Sequence, residues 1–525
     1  MTSSSLLRSV LPLVAPFLAQ QDKLNVAYAN YELYSAVVPM LYRKLLFTGR
    51  PLVDSEGSWT NVGSLKNPLV SDKKHSEVYT LRQELLLQTL TLNRELAGCV
   101  EQVVVVDQEI LRDLAEVLSR CPNLRRFEVP QVDRWLGEVY SKPLESFVVT
   151  ELDQLCRLPD TVTRLKLGVL TSESLSVVDR QRALKKIYSL DALELVSDEP
   201  SITTFLKFLQ PFARLRLKSL SIVYYHGYND YNHVSRTLVR QLLDKTDLAT
   251  LRELEMVLGC DEMACGCLGE FCHHLVSKPF DLRRLAILQR TVHRDHNYTE
   301  KFDVAVTTLL ASMPNNERLA ELYIRHTPPL DAMIVHGFEG NYIKRRDLYH
   351  SMLPHLRGLE RLVCPTFVWS LACYEQLMSD LLWNGCTCDH CESFLSLFDE
   401  FIMKHHYYDA ASGLEKDVIS PCFFSCAAAT LASRFVGRPL EHLPLLDVYW
   451  NFHSLLNMDH DAGYDCRFNQ SFFRHLAACI SHFLREYVLE VSRTNPNLWH
   501  VNFSGIVFEK SDSWVCKNEK VYRVQ

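Results

Sequence analysis

The chain has 525 residues, of which 47% are hydrophobic and 23% are charged. This composition excludes a disordered or fibrous chain and is typical of several globular domains or of one long repeat array. The net charge of −7 excludes a global basic field of the kind that attracts nucleic acid. No stretch approaches the run of about 18 apolar residues that a membrane span needs, so no membrane segment is expected.

Cysteine usage favours a reducing compartment. The chain has 17 cysteines, and several, such as Cys121 and Cys479, lie on apolar patterns typical of small buried side chains. A secreted framework would tend to use an even number at regular spacing. We therefore expect a cytoplasmic or nuclear protein, although the triplets at Asn297, Asn469 and Asn502 fit the glycosylation pattern of a secreted one.

The first amphipathic segment lies near the beginning of the chain. Apolar residues recur there at helical spacing, at Leu7, Val10, Leu11, Val14, Phe17 and Leu18. A secretory signal cleaved near Ala19 is one alternative and a plain structural cap is another. A signal needs only bulk hydrophobicity, however, and this pattern continues without a cleavage break. A second helical stripe follows it, at Leu24, Ala27, Tyr28, Tyr31, Tyr34 and Val38.

The stretch from Leu6 to Phe47 resembles an F-box of the fungal type. The resemblance rests on positions that match the motif in order: Leu6, Val14, Phe17, Leu18, Asp22-Lys23-Leu24, Asn30-Tyr31, Tyr34 and Val38-Pro39-Met40-Leu41-Tyr42-Arg43. The stretch departs from the motif where Leu7 replaces a usual proline. Pro12 and Pro16 also fall inside the first helix, where proline costs about 3 kcal/mol. A degenerate F-box is therefore kept as an alternative.

The resemblance implies a docking function for this segment. F-box proteins bind the linker subunit of an SCF ubiquitin ligase, and through it a cullin. Apolar helix faces would supply the binding energy. The residues expected to form this interface or the core of the domain are Leu7, Val10, Leu11, Val14, Phe17, Leu18, Leu24 and Val26.

A repeated pattern L-x-x-L-x-L follows and predicts a series of short strands. It occurs at residues 100–105, 124–129, 162–167, 190–195, 217–222, 251–256, 282–287, 319–324, 359–364 and 498–503. Amphipathic helical segments separate the copies, so each unit is expected to stack on its neighbours. This predicts an α/β repeat fold, a curved leucine-rich-repeat solenoid with long and irregular repeats. An ordinary α/β domain with similar alternation is the alternative.

These patterns divide the chain into four parts. Residues 1–47 are expected to form a small all-helical F-box-like domain, and 48–80 a linker. Residues 81–369 are expected to form the solenoid. Residues 370–525 are expected to be a C-terminal part of the solenoid with a helical insertion that contains cysteines.

One cysteine cluster has the composition of a metal site. The sequence WNGCTCDHC places Cys386, Cys388 and Cys391 close together, and three thiolates are suitable zinc ligands. The fourth ligand is expected from Cys373, His405 or His406. The C-x-C-x-x-C spacing is not a common finger pattern, so a turn that buries small side chains is the alternative.

A second cluster, CDEMACGCLGEFCHH, follows a predicted repeat strand. It contains Cys260, Cys265, Cys267, Cys272, His273 and His274. Packing of these cysteines between strand and helix is the favoured interpretation, with metal binding as the alternative.

No catalytic residues are predicted. The sequence has no phosphate-binding glycine loop, no H-E-x-x-H and no G-x-S-x-G. The predicted function is therefore a non-catalytic substrate adaptor of an SCF-type ligase, with an unknown protein substrate on the repeats. The alternative is a repeat scaffold with a degenerate F-box that is not linked to ubiquitination. No cofactor is required, although zinc is expected to fit the 386–391 cluster.

Overall fold

The computed structural model describes most of the repeat region and parts of both ends. The longer described ranges are 20–47, 72–105, 111–129, 134–171, 175–195, 199–226, 236–260, 265–278, 281–290, 297–313, 316–326, 351–364, 386–393, 470–503 and 506–516. Short pieces are described at 10–11, 13–14, 60–61, 395–396, 408–409 and 414–415.

Helices and strands alternate along most of these ranges. The helices are α1 (Gln20–Ala29), α2 (Tyr31–Leu41), α3 (Asp72–Leu92), α4 (Arg94–Gly98), α5 (Leu111–Ser119), α6 (Gln154–Arg157), α7 (Val177–Tyr188), α8 (Glu199–Phe208), α9 (Arg236–Lys245), α10 (Cys267–Val276), α11 (Asn297–Ser312) and α12 (Gln470–Thr494). Four 3₁₀ segments lie at Arg134–Ser141, Leu248–Thr250, Asn316–Arg318 and Leu353–His355.

The strands are short, as stacked repeats require. They are β1 (Lys44–Phe47), β2 (Thr60–Asn61), β3 (Gln102–Val105), β4 (Arg126–Glu128), β5 (Ser146–Glu151), β6 (Arg164–Thr171), β7 (Ala192–Leu195), β8 (Ser219–His226), β9 (Glu253–Cys260), β10 (Arg284–Gln289), β11 (Glu321–Arg325), β12 (Arg361–Cys364), β13 (Tyr408–Asp409), β14 (Leu414–Glu415), β15 (His500–Phe503), β16 (Ile506–Lys510) and β17 (Trp514–Cys516).

Local sequence explains where these elements begin. Helix α7 begins after Ser176, whose hydroxyl accepts a hydrogen bond from the backbone N–H of Asp179 and donates one to the Asp179 carboxylate. Such a cap satisfies an N–H that the helix leaves unpaired. Asn30 caps α2 in the same way through the N–H of Leu33. Pro39 is accommodated in the last turn of α2, which ends at Leu41.

The described residues form two compact units. Those within Met1–Ile222 and Gln241–Asp247 belong to the first unit. In this unit neighbouring strands are parallel and lie in the order β2-β1-β3-β4-β5-β6-β7, followed by the start of β8. Parallel neighbours need a crossover connection, which the intervening helices supply.

The second unit has its own run of strands. It contains the described residues of Val223–Arg240, Leu248–Phe435 and His442–Gln525. Strands β9, β10, β11, β12 and β15 pair in parallel in that order, and β16 and β17 then add antiparallel. Arg361 of β12 pairs with His500 of β15. Residues 365–499 therefore connect two neighbouring strands.

A set of backbone hydrogen bonds, here called the backbone ladder, recurs just before most strands begin. The carbonyl of Arg43 accepts hydrogen bonds from the N–H groups of both Glu101 and Gln102, at 2.9 and 3.0 Å. The same arrangement recurs in each unit: one carbonyl oxygen accepts hydrogen bonds from two consecutive N–H groups of the next repeat. The accepting carbonyls are those of Glu101, Arg125, Glu145, Thr163 and Asp191 in the first unit, and of Arg252, Arg283, Ala320 and Glu360 in the second.

The core of each unit lies between the strands and the helices. Alternate strand residues are buried, as Leu193 and Leu195 of β7 show at 2% and 1% exposure. Helices contribute their inner faces, for example Leu114 of α5 and Ile187 of α7. Burying one such side chain contributes about 1.5–3 kcal/mol, so the apolar spacing of the repeats accounts for their stacking.

The predicted mixed α/β fold is confirmed, and the structure adds that each unit contains a run of parallel strands. The curved leucine-rich-repeat solenoid stays a prediction. Each of the ten L-x-x-L-x-L copies contributes a strand. The all-helical domain at 1–47 stays a prediction, but its last residues, Lys44–Phe47, form β1 and pair with β3. Helix α3 begins at Asp72, inside the stretch expected to be a linker. Within the part of the chain that the structure describes, none of the helices combines the length and the hydropathy that a membrane span needs.

Candidate functional site

The helices near the beginning of the chain pack around a small apolar cluster. Its buried members are Leu11, Val37 and Leu41, at 7%, 0% and 9% exposure. Leu24 and Val26 of α1 pack against it. Residues of α2 and its C-cap also pack against the cluster, and they are Leu33, Ala36, Val38 and Tyr42.

The eight residues predicted for partner binding fall into three groups, which are buried or packed, exposed, or outside the described residues. Leu11, Leu24 and Val26 belong to the apolar cluster or pack against it. Val10 and Val14 are exposed, at 44% and 43%. The remaining members lie outside the described residues, and they are Leu7, Phe17 and Leu18. The predicted role of the set in binding stays a prediction.

Exposed residues that the prediction omitted lie in the same segment. Leu13 is 70% exposed, and Tyr28 and Tyr31 are each 82% exposed. Tyr34 is half-exposed. The second helical stripe, expected from Leu24 to Val38, is not continuous. Asn30 separates α1 from α2, and Ala27 is buried whereas its neighbour Tyr28 faces solvent. Exposed tyrosines are a signal that sequence reasoning could have used, since tyrosine is enriched in interfaces.

A first group of soft ligands, here called the insertion cluster, lies between β12 and β15. Its members are Cys386, Cys388, Cys391 and His482, whose ligand atoms all lie within 4.8 Å of one another. The Nδ1 atom of His482 lies 3.3, 3.5 and 3.4 Å from the three sulfur atoms in that order. Cys391 is buried, and the other three side chains are half-buried.

The histidine is the residue that sequence reasoning missed. His482 belongs to α12 and lies 91 residues beyond Cys391. No local spacing connects them, and only the fold brings them together. The fourth ligands that we expected lie outside the described residues, and they are Cys373, His405 and His406. The three predicted cysteines do converge.

A second group, here called the strand-end cluster, lies where strands finish. Its members are His226, Cys260, Cys265 and Cys267, again with ligand atoms within 4.8 Å of one another. The Nδ1 atom of His226 lies 3.7 Å from the sulfur of Cys260 and 3.4 Å from that of Cys265. His226 is the last residue of β8, Cys260 the last of β9, and Cys267 the first of α10.

Only some residues of the predicted cysteine-rich segment belong to the strand-end cluster. Cys272 is 1% exposed on the inner face of α10, and its burial raises the pKa of the thiol to about 12. It is therefore a small apolar side chain, as the favoured interpretation expected. His226 was not predicted, because it precedes Cys260 by 34 residues.

In each cluster, the surroundings of one cysteine favour its protonated thiol as long as no cation is bound. Burial, and then the neighbouring thiols of Cys388 and Cys391, raise the pKa of Cys386 to about 11, although a backbone hydrogen bond with Cys388 lowers it. For Cys267, a hydrogen bond with Cys260 and burial both raise the pKa. A divalent cation among the sulfurs would reverse this preference, since a coordinated thiol loses its proton.

Comparison with known proteins supports the resemblance found at the beginning of the chain. No protein-family model matches the chain. A curated F-box protein does match, over nearly the whole length. The chain is 28% identical over 541 aligned positions to the non-SCF-type F-box protein ROY1 of Saccharomyces cerevisiae, and the match covers 94% of this chain and 95% of that protein. The predicted similarity to F-box proteins is thereby confirmed.

Proposed function

We propose that this protein is a non-catalytic interaction scaffold of the F-box type. Its segment around α1 and α2 binds the linker subunit of SCF ligases, and its repeats bind a protein partner. The observation that carries the proposal is the exposure of Val10, Leu13 and Val14 in the stretch that resembles an F-box. Apolar side chains that a helix leaves exposed supply the binding energy of such a contact.

The name of the relative favours one of the two functions predicted from the sequence. That protein is described as non-SCF-type. We therefore favour a scaffold that works without a cullin over a substrate adaptor of a complete SCF ligase. Either way, the protein would contribute proximity between its partners and no bond-breaking chemistry of its own.

A row of charges on the second unit supports a protein as the partner of the repeats. Residues in register on the four strands β9 to β12 alternate in sign, and they are Glu253, Arg284, Glu321 and Arg361. Ion pairs connect Glu321 to both Arg284 and Arg361, at 3.8 and 3.6 Å. A balanced row fits a protein surface of mixed charge better than a polyanion, because no net field accumulates.

A co-purification experiment tests the docking proposal. Full-length protein is mixed with the linker subunit, with and without a cullin. Val10→Asp/Val14→Asp is expected to lose the linker, because charges replace exposed apolar contacts. Val177→Asp/Val178→Asp is the matched control, since these two valines are also exposed, on a repeat helix. The control is expected to bind like the wild type.

The cullin distinguishes the two functions. Binding of the linker without recruitment of the cullin would support the non-SCF scaffold. Recruitment of both would support the SCF adaptor instead. If the wild-type protein fails to bind the linker, or if the control loses it equally, the docking proposal is wrong.

A further inference from the structure

We propose that the second unit binds two structural zinc ions, one in the insertion cluster and one in the strand-end cluster. Each ion would have three cysteine ligands and one histidine ligand. Cys₃His is an established donor set for structural zinc, and a closed set of four leaves no position for substrate. The proposed sites are therefore structural and do not depend on the proposed function.

The distances agree with a tetrahedral zinc site. Zinc lies about 2.3 Å from a cysteine sulfur and about 2.0–2.1 Å from a histidine nitrogen, so a tetrahedron places sulfur and nitrogen about 3.5 Å apart. In the insertion cluster these separations are 3.3, 3.5 and 3.4 Å. In the strand-end cluster they are 3.7 and 3.4 Å.

Hydrogen bonding alone does not explain these distances. The Nδ1 atom of a neutral imidazole has one lone pair, so it accepts one hydrogen bond well. In the insertion cluster, three sulfur atoms approach the Nδ1 of His482 equally closely. A buried cysteine elsewhere behaves differently, since the thiol of Cys121 donates to the carbonyl of Val117 at 3.3 Å. A cation at the centre would attract all four donor atoms at once.

The soft donor set determines which metal is expected. Cysteine thiolates select zinc, copper(I) or iron–sulfur chemistry and disfavour magnesium and calcium. A single ion coordinated by three sulfurs and one nitrogen in a tetrahedron fits zinc. Loading would release a proton from each thiol that is still protonated, so binding is expected to weaken as the pH falls.

The insertion cluster would connect two distant parts of the chain. Cys386, Cys388 and Cys391 lie in the segment that follows β12, and His482 lies on α12, which leads back to β15. The metal would thus fix residues 386–391 against that helix. Because loop-closure entropy grows with the length enclosed, a link across 91 residues constrains the chain strongly.

The strand-end cluster would connect neighbouring repeats. His226 and Cys260 finish β8 and β9, and Cys267 begins α10. Gly259 shows how tightly the backbone packs beside the cluster. A Cβ atom built there would lie only 1.9 Å from the carbonyl oxygen of Arg290, so a side chain has no room. The backbone next to Cys260 is therefore packed closely against the end of β10 without any metal, and a rigid support of this kind favours a selective site.

Metal analysis of the full-length protein tests the proposal. The protein is expressed with zinc in the medium, purified under reducing conditions and measured by mass spectrometry of its metals. Two zinc ions per chain are expected. Cys388→Ser/Cys391→Ser and Cys260→Ser/Cys265→Ser are each expected to retain one. Cys99→Ser is the matched control, since its thiol donates to the carbonyl of Glu95, and it is expected to retain both.

Cobalt spectroscopy on the wild-type protein keeps the test decisive if a double variant fails to fold. Replacing zinc by cobalt is expected to give the ligand-field and thiolate bands of tetrahedral sulfur-rich sites, with two equivalents at saturation. A protein that contains no zinc and gives no such bands after reduction would overturn the proposal. If a double variant retains as much zinc as the wild type, the site that it removes does not bind zinc and that half of the proposal is wrong. If the cysteines of both clusters react with an alkylating reagent only after reduction, they form disulfides, and both sites are wrong.

Discussion

Buried polar groups have different partners in the two units. In the first unit, the hydroxyl of Ser201 accepts from the N–H of Leu170, and the side chain of Gln154 accepts from the N–H of Thr150. In the second unit, Asp303 and His326 contact each other at 2.6 Å while 1% and 0% exposed. These side chains of the first unit bond to the backbone, as its buried Lys186 also does by donating to the carbonyl of Pro159, whereas the second unit contains two buried ionisable groups that contact each other. Dependence on metal and on pH is therefore expected mainly in the second unit.

The largest expected effect is the loss of metal from the second unit. Removing zinc with a strong chelator is expected to open the region around α12, because structural zinc contributes folding free energy directly. Hydrogen exchange of residues 470–494 should accelerate on the order of a hundredfold, whereas β3 to β7 of the first unit should be unchanged. If hydrogen exchange accelerates equally in both units, or in neither, the second unit does not depend on metal more than the first.

Next in size is the buried Asp303–His326 pair. Asp303→Ala is expected to destabilise the protein by about 3–5 kcal/mol, because it leaves a buried polar partner uncompensated. Asp303→Asn retains shape and one hydrogen bond, so it should cost less. Ser201→Ala in the first unit removes one neutral hydrogen bond and should cost about 1 kcal/mol. Urea denaturation measures the free energy of unfolding of the three variants. If Ser201→Ala destabilises the protein as much as Asp303→Ala, the two units do not differ in the way described.

A close backbone approach gives a smaller effect. A Cβ atom at Gly358 would lie only 1.7 Å from the carbonyl oxygen of Glu317, whereas Gly98 of the first unit has nothing within 4 Å. Gly358→Ala is expected to destabilise by about 3 kcal/mol, since the repeats must separate to admit a methyl group. Gly98→Ala should change the free energy of unfolding by less than about 1 kcal/mol. Thermal denaturation of the two variants tests this pair.

The smallest expected effect is the pH response of His500. Burial, and then the positive charge of Arg361, lower the pKa of this histidine in the folded protein below its ordinary value of 6.5. The unfolded chain therefore binds more protons just below pH 6.5, and stability should fall as the pH drops through that value. His500→Gln should flatten this dependence. Urea midpoints between pH 7.5 and 5.5 measure it, and an unchanged slope would exclude His500 as the cause.

Sequence patterns predicted the repeat strands well, because burial of alternate residues leaves a period that is visible along the chain. They missed β5, whose Phe147 and Val149 occupy the leucine positions only 20 residues after the start of the previous copy. They also missed β1, because Lys44–Phe47 directly follows a helix and was taken as part of the helical domain. Short strands of this kind are defined by their partners more than by their own residues.

The candidate sites show the same limit more clearly. The three cysteines of the insertion cluster were predictable, because their spacing is local. Neither His482 nor His226 was predictable, since only the fold brings each of them to its cysteines. In the segment that resembles an F-box, helical spacing predicted that Leu11 and Val14 are both important but did not predict that the first is buried and the second exposed.

The backbone ladder has a consequence for the evolution of the protein. Most repeats are aligned to the next by one carbonyl oxygen and two N–H groups. For example, the N–H groups of Asp191 and Ala192 both donate to the carbonyl of Thr163. Any residue except proline can provide these groups. Mutations can therefore accumulate on the outer positions, and repeats can lengthen or shorten, while their alignment is inherited. This tolerance fits a chain that shares only 28% of its residues with an F-box relative and still matches it over almost its full length.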